Sequence, residues 1–512
     1  MRSAMRHSNS AYPAAALVLC VLLASAGGVA QSNADVDNRL RELQQELQSA
    51  RSQLTQAQQT IERLSKQLDS LSRQAGGNPA SSTSNRPPDE YESAADLANS
   101  PRSQASSTDE SLDEDEKVLA ARIEEQHQTK VESASKYRVK ISGLVLMNAF
   151  SNRGGVDSPE LPNRALVTGD RGSAGATLNQ TLLGVQLFGP RLAGAETSAR
   201  ISADFSGEND ESGYGRNLGI FRLREASARL DWKSNSLVIG QEAPFISPLS
   251  PTSYATLAEP ALSWAGNLWT WTPQVFAEHR IRTSEATYFS FSGGLMATLT
   301  EPVGNYINAI AELPGPGQRS RRPAFAGDFS AHSKGFGQNM EFGIGAYSSR
   351  LRYLTGNITG WAVTSHWRMP LGAKLELSGE AYRGEAVGGL GGGIGQSAGY
   401  FIDPVTLLPQ MRPLNSAGGW SQLKFRPFPK WEINGAFGQD NVLKYSYANT
   451  PGITAAYGEL FTRNRAGFGN VIYRPRSNVL FSVEYRKLWT YSVLSNRPNT
   501  ADQVNVGAGV SF

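Results

Sequence analysis

The side chains with most capacity for chemistry in this sequence are charged groups set at every second position of short segments that alternate in polarity. Arg200 and Asp204 share one such segment, Arg222 and Arg224 another, Lys424 and Arg426 a third, Glu484 and Arg486 a fourth, and Glu380 stands in a fifth. In an extended chain a spacing of two puts both members on the same face. Fixed charges that converge on a narrow aqueous passage compensate a solute for hydration it loses there, and Arg or Lys rings favour anions. These nine residues are the candidate pore-lining set. A second reading of the same arginines stays open, in which many are paired across strands or bind lipopolysaccharide phosphates outside.

Covalent and acid-base chemistry is poorly served. The one cysteine, Cys20, lies in an apolar run near the start, so a chain that loses this segment has no thiolate, disulfide or cysteine-based zinc site. His127, His279, His332 and His366 would remain, and none sits beside Ser or Asp at the spacing of a known barrel hydrolase. No catalytic set, metal, cofactor, nucleotide or nucleic-acid site is expected. The glycine run Gly388 to Gly395 falls in a long connection rather than between a strand and a helix, which reads as a flexible loop and not a phosphate cradle.

The elements that must position the charges are strands. From Tyr137 to Phe512 the sequence divides into 16 strand-like segments, an all-β pattern of a transmembrane antiparallel β-barrel. Their connections alternate short and long. Short ones fall at Gly189 to Gly194, Lys233 to Asn235, Thr283 to Glu285, Ser333 to Gly335, Pro370 to Ala373, Phe428 to Lys430 and Arg474 to Asn478. Long ones fall near Ser151 to Ala176, Gly207 to Leu218, Ala243 to Trp269, Pro302 to Ser320, Ser349 to Asn357, Glu385 to Asn415, Asp440 to Phe461 and Tyr491 to Ala501. Short periplasmic turns, long outer loops and an even strand count are what such barrels show. Mean hydropathy is only −0.36, because strands with one polar face average out.

Individual segments carry the two-residue period. Ala199, Ile201, Ala203 and Phe205 oppose Arg200, Ser202 and Asp204, while Val479, Phe481, Val483 and Tyr485 oppose Ser482, Glu484 and Arg486. At the end of the chain Val504, Val506, Ala508, Val510 and Phe512 alternate with Gln503, Asn505, Gly507, Gly509 and Ser511. Aromatics gather near segment ends at Tyr137, Trp232, Trp271, Trp361, Trp367, Trp431, Tyr473 and Trp489, the arrangement of an interfacial belt. From Tyr137 onward 35 Lys and Arg face 27 Asp and Glu, whereas the preceding part holds 14 basic and 19 acidic residues. The basic excess therefore belongs to the barrel, and a modest anion preference is expected.

Upstream, Arg2 and Arg6 precede the apolar run Ala14 to Ala24, too short to span a bilayer, and small residues follow; residues 1–30 read as a secretory signal peptide. Leu40, Leu47, Leu54, Ile61 and Leu68 recur every seven residues, with Leu43, Ala50, Ala57, Leu64 and Leu71 three places after each. Five unbroken heptads over residues 35–75 predict an α-helical periplasmic coiled coil. Residues 76–136, rich in Ser, Pro, Asp and Glu, read as a disordered or partly helical linker. The third long connection carries Pro244, Pro248, Pro251 and Pro260 with Tyr254, Leu257, Leu262 and Trp264. It has the apolar groups to fold into the lumen as a constriction, or equally to cover a neighbouring protomer.

The segments Phe221-Arg222-Leu223-Arg224 and Leu237-Val238-Ile239-Gly240-Gln241 resemble the strand pair that feeds the constriction loop in the DcaP-like porins. The continuation Glu242-Ala243-Pro244 departs from the Thr-Trp type of continuation expected there. The resemblance implies a homotrimeric 16-stranded outer-membrane channel behind an N-terminal coiled coil, associated with dicarboxylates, with Arg222 and Arg224 lining the pore. Phe512 resembles the terminal signal that barrel-assembly machinery recognises. The expected function is passive diffusion of small hydrophilic solutes; the alternative is a structural or adhesive barrel tethered through its coiled coil and carrying no current.

Overall fold

Alternation along sixteen segments is realised as a closed antiparallel β-barrel of 16 strands in the computed structural model. The structure describes residues 138–167, 171–207, 219–300, 306–307, 311–312, 314–353, 355–455, 458–495 and 497–512. The expected signal peptide, coiled coil and linker lie outside the described residues. The first strand, β1 (Arg138–Arg153), pairs with the last over ten residues, from Leu144 opposite Ser511 to Arg153 opposite Asp502, so the sheet has no edge.

In chain order the others are β2 (Gly172–Thr177 with Leu182–Phe188), β3 (Glu196–Asp204), β4 (Arg222–Asp231), β5 (Asn235–Glu242), β6 (Thr272–Arg282), β7 (Tyr288–Met296) and β8 (Ala324–Gly335). There follow β9 (Gln338–Tyr353), β10 (Gly356–Gly372), β11 (Leu375–Glu385), β12 (Asn415–Phe428), β13 (Trp431–Val442), β14 (Phe461–Arg476), β15 (Val479–Ser492) and β16 (Asn499–Ser511). Each pairs with its neighbours, and β2 is one strand in two pieces, both against β1. Six of the seven short connections overlap their expected positions; the fourth is a correction, because Ser333 to Gly335 continue β8 as far as the pair Gly335 and Gln338, and the turn is Phe336 and Gly337. Of the long ones, the fifth is a correction: β9 and β10 run on until Tyr353 is the partner of Gly356, which leaves a two-residue turn. Arg350, Leu351 and Arg352 keep the two-residue period as part of β9.

The outward face is apolar. Val145 and Met147 on β1, Phe291 and Leu295 on β7, Ile344 on β9 and Val504, Val506 and Val510 on β16 are all exposed. The inward face departs from a uniformly polar lining. Leu144, Leu146, Phe276, Met296, Tyr347, Trp420, Phe468 and Leu480 point in and are buried, because three loops fold into the barrel and cover them. Burying one such side chain is worth about 1.5–3 kcal/mol.

Candidate functional site

The loop that fills the lumen is 243–271, between β5 and β6, and its placement settles the choice left open by sequence: it turns inward. Phe245, Ile246, Leu249, Tyr254, Leu257, Leu262 and Leu268 are at most 2% exposed. Phe245, Ile246 and Leu268 pack with Val238, Phe276 and Tyr347 on one side of the lumen, while Tyr254 and Leu257 reach Leu144, Leu146, Ile472 and Leu480 on the other. Leu262 and Trp264 are held at φ +62°, a left-handed conformation that bulky residues adopt only where packing enforces it. Gly266, at φ +100°, lies so close to β12 that a Cβ would come 2.4 Å from the Gly419 nitrogen.

Several candidate charges serve as anchors for this loop. Glu380 on β11, 3% exposed, accepts from the Ser247 hydroxyl (2.6 Å), the Leu249 N–H (2.7 Å) and the Trp420 indole N–H (3.3 Å). Across the lumen, Glu484 on β15 accepts from the Ser253 hydroxyl at 2.6 Å and from Asn470 at 3.0 Å. Arg486, 1% exposed, pairs with Glu484 at 2.8 Å and donates to Thr256 Oγ1 at 3.1 Å. Both carboxylates therefore bind loop donors.

A second group borders the loop where β3, β4 and β6 meet. Arg222 donates to both oxygens of the fully buried Asp204, at 3.1 and 2.7 Å, and Arg224 approaches the same carboxylate at 3.6 Å. The pairing of β3 with β4 shifts between Ser202 and Ala203, so that Ser202 faces Glu225 and Ala203 faces Leu223. That bulge turns Glu225 inward beside Arg224, and Arg200 lies 3.8 Å from Glu225. The Trp271 ring stacks against both guanidiniums, 5.3 Å from Arg222 and 4.7 Å from Arg224. Trp271 thus departs from the expected interfacial belt, which Trp361, Trp431 and Tyr473 do join on the outer face, the last two stacked at 4.5 Å. Arg224 is 1% exposed, and its Nε and Nη1 have no hydrogen-bond acceptor in the protein.

Lys424 and Arg426, the remaining candidates, sit near the short-turn end of the lumen around one carboxylate that sequence reasoning missed. Glu432 on β13 lies 4.0 Å from Lys424, 3.3 Å from Arg426 and 3.8 Å from Arg474. Also missed were Gln180, Gln422, Asn464 and Asn470, whose amides bind the backbone of the inward loop. Their signal was present, since Gln422 and Asn470 fall on the polar face of their strands. His366 is likewise no isolated strand histidine: its Nε2 lies 3.4 Å from Glu341 and 3.2 Å from the Ser330 hydroxyl.

The glycine run is a correction. Gly388 to Gly395 is buried and folded as two short turns against the inward loop, where a Cβ on Gly395 would come 2.1 Å from the Trp264 ring. Asp440 accepts from the Tyr382 hydroxyl at 2.6 Å and from the Ile394 N–H at 3.1 Å, and Tyr382 in turn accepts from the Gly393 N–H. Glycine here permits close packing rather than motion.

Burial, with Asp157 nearby, pushes Glu259 of the inward loop up to about 7, against lowering by Arg222, Asn163 and Arg164. A carboxyl raised above its ordinary 4.5 takes up a proton on folding, so its stabilising effect is complete below about 4.5 and is lost as pH rises to about 7. Glu259→Gln is expected to flatten that part of the profile, with a difference of at most about 3 kcal/mol. Thermal unfolding of both proteins between those limits measures it, and parallel profiles would show that Glu259 is not responsible.

No family model matches this chain, and no curated protein of similar sequence was found. Among solved structures, the outer membrane channel DcaP of Acinetobacter baumannii aligns with a TM-score of 0.55 over 74% of this chain and 99% of that one, at 15% identity. The barrel shares the fold of that channel. The anion-selective porin from Comamonas acidovorans aligns with a TM-score of 0.44 over 74% of this chain and all of that one, at 9% identity. This barrel places Arg222, Arg224 and Trp271 beside the inward loop.

Proposed function

We propose that this protein is a porin-like channel for diffusion of small hydrophilic solutes across the outer membrane, preferring anions such as dicarboxylates. The observation that carries the preference is the Arg222, Arg224 and Trp271 group beside a loop that narrows the lumen, where two guanidiniums share the one carboxylate of Asp204. Arg222 and Arg200 keep 28% and 32% of their side chains accessible, so a passing carboxylate meets them first. Arg200 and Glu225, Arg222 and Asp204, and Arg229 and Asp231 are paired, so the preference rests on this local group and not on a lumen of one sign. The working unit is a homotrimer. The outward faces of β2, β3 and β4 carry Ala174, Ala176, Ala199, Ala226 and Ala228, a flat apolar surface suited to a second protomer.

The alternative, a barrel that tethers or adheres without conducting, gains support from how fully loop 243–271 and the glycine-rich loop occupy the lumen. Planar-bilayer recording of the full-length protein separates them. Current steps in groups of three, with a reversal potential on the anion side in a KCl gradient, are the expected result. A silent bilayer after verified insertion would abandon the channel in favour of the tether.

A further inference from the structure

Charge on the outside of the barrel is distributed unevenly. Outward positions on β2 to β8 hold no Asp, Glu, Lys or Arg among the described residues, being residues such as Val185, Ile201, Leu223, Ile239, Val275, Phe291 and Phe329. On β9 to β15 the same parity carries Arg350, Arg352, Arg383, Arg463, Arg465 and Lys487, all towards the end with the long loops. Two acids accompany them: Glu385, which accepts from Asn415, and Asp502, 3.1 Å from Lys487. Much of the basic excess noted in the sequence therefore faces away from the lumen.

These cations sit at a defined height. The stacked pair Trp431 and Tyr473 marks the opposite rim of the outer face. Arg465 and Arg463 are eight and ten residues further along β14. At about 3.3 Å per residue and a strand tilt of about 40°, they lie roughly 20 and 25 Å above it, close to the height of a barrel's apolar band. They meet the outer headgroup layer and not hydrocarbon, where a charge would cost about 2–4 kcal/mol.

Their local geometry holds the guanidiniums ready for an anion. Asn441 and Gln439 on β13 accept from Arg463 Nε at 2.7 Å and Arg465 Nε at 2.5 Å, and both guanidiniums lie over the Tyr491 ring, at 5.4 and 5.9 Å from its centre. No carboxylate lies within ion-pair distance of Arg350, Arg352, Arg463 or Arg465 among the described residues, and the Nη atoms of Arg463 and Arg465 make no hydrogen bond to the protein there.

We infer that the outward arc formed by β9 to β15 is a binding surface for phosphorylated glycolipid headgroups of the outer leaflet, seated on Arg463 and Arg465 and extended by Arg350, Arg352 and Arg383. Guanidinium recognises phosphate through paired charge-assisted hydrogen bonds. The site requires the membrane-spanning barrel but no conduction, so it stands or falls separately from the channel.

The test uses full-length protein in detergent, with bisphosphorylated lipid A, its dephosphorylated form and inorganic phosphate as probes, read by native mass spectrometry and thermal unfolding. Bisphosphorylated lipid A is expected to bind and raise the unfolding temperature. Arg463→Gln with Arg465→Gln should weaken that binding at least about tenfold, Arg463→Lys with Arg465→Lys should keep most of it, and conductance should be unchanged in both. Equal binding of the dephosphorylated lipid, full displacement by inorganic phosphate, or unaltered lipid affinity in the glutamine variant would each overturn the inference. Loss of protomer association at constant lipid affinity would reassign the arc to a subunit contact.

Discussion

Replacing Glu380 by Leu is expected to raise single-channel conductance several-fold and to make the open level noisier. Its carboxylate accepts from three donors on or beside the inward loop, and it is 3% exposed. Leaving buried donors unsatisfied costs about 1–3 kcal/mol each, so three such losses weaken the closed arrangement by roughly 3–9 kcal/mol. A two-state loop needs only about 1.4 kcal/mol for a tenfold change in population. The barrel wall should survive, because its ladder is backbone hydrogen bonding. Glu484→Leu acts at the far anchor and should cost more, since it leaves Arg486 buried without its carboxylate. Glu380→Gln keeps one acceptor oxygen and is expected to fall between. Unchanged conductance in a Glu380→Leu protein with native strand content would mean that residues 243–271 do not limit flow.

The wall was legible in the sequence to a degree that the interior was not. A barrel strand declares itself through one rule, side chains alternating between lipid and lumen, and Arg200, Asp204, Glu484 and Arg486 obey it. That rule assigns a face but not what stands in front of it. Glu380 and Glu484 read as pore charges because nothing near them in sequence reveals that Ser247, Leu249 and Ser253 arrive from more than a hundred residues away. The glycine run Gly388 to Gly395 failed for the opposite reason: glycine signals freedom in an isolated chain, whereas here it allows backbone to approach Trp264 and Leu299. The basic excess was counted over the barrel as a whole, since net charge carries no direction. Only parity, applied to Arg350, Arg463 and Arg465, separates lumen from lipid.

Arg222→Ala combined with Arg224→Ala should move the reversal potential toward cation preference. At about 4 Å a unit charge interacts with a passing carboxylate by about 1 kcal/mol in water and about 4 kcal/mol at the effective dielectric of a protein surface. Even the lower figure is about a fivefold change in relative permeability for one guanidinium, and two are lost. The residual field reverses as well, because Asp204 and Glu225 remain without these partners. Folding is the confounding effect, as breaking a buried pair costs about 3–5 kcal/mol and Asp204 is fully buried. Adding Asp204→Asn removes that uncompensated charge, so the triple variant should fold more stably than the double and still lose anion preference. If selectivity in the triple variant matches that of the native protein, the arginines hold Asp204 and the wall together, and the solute is chosen elsewhere, with Lys424, Arg426 and Arg474 around Glu432 the next group to test.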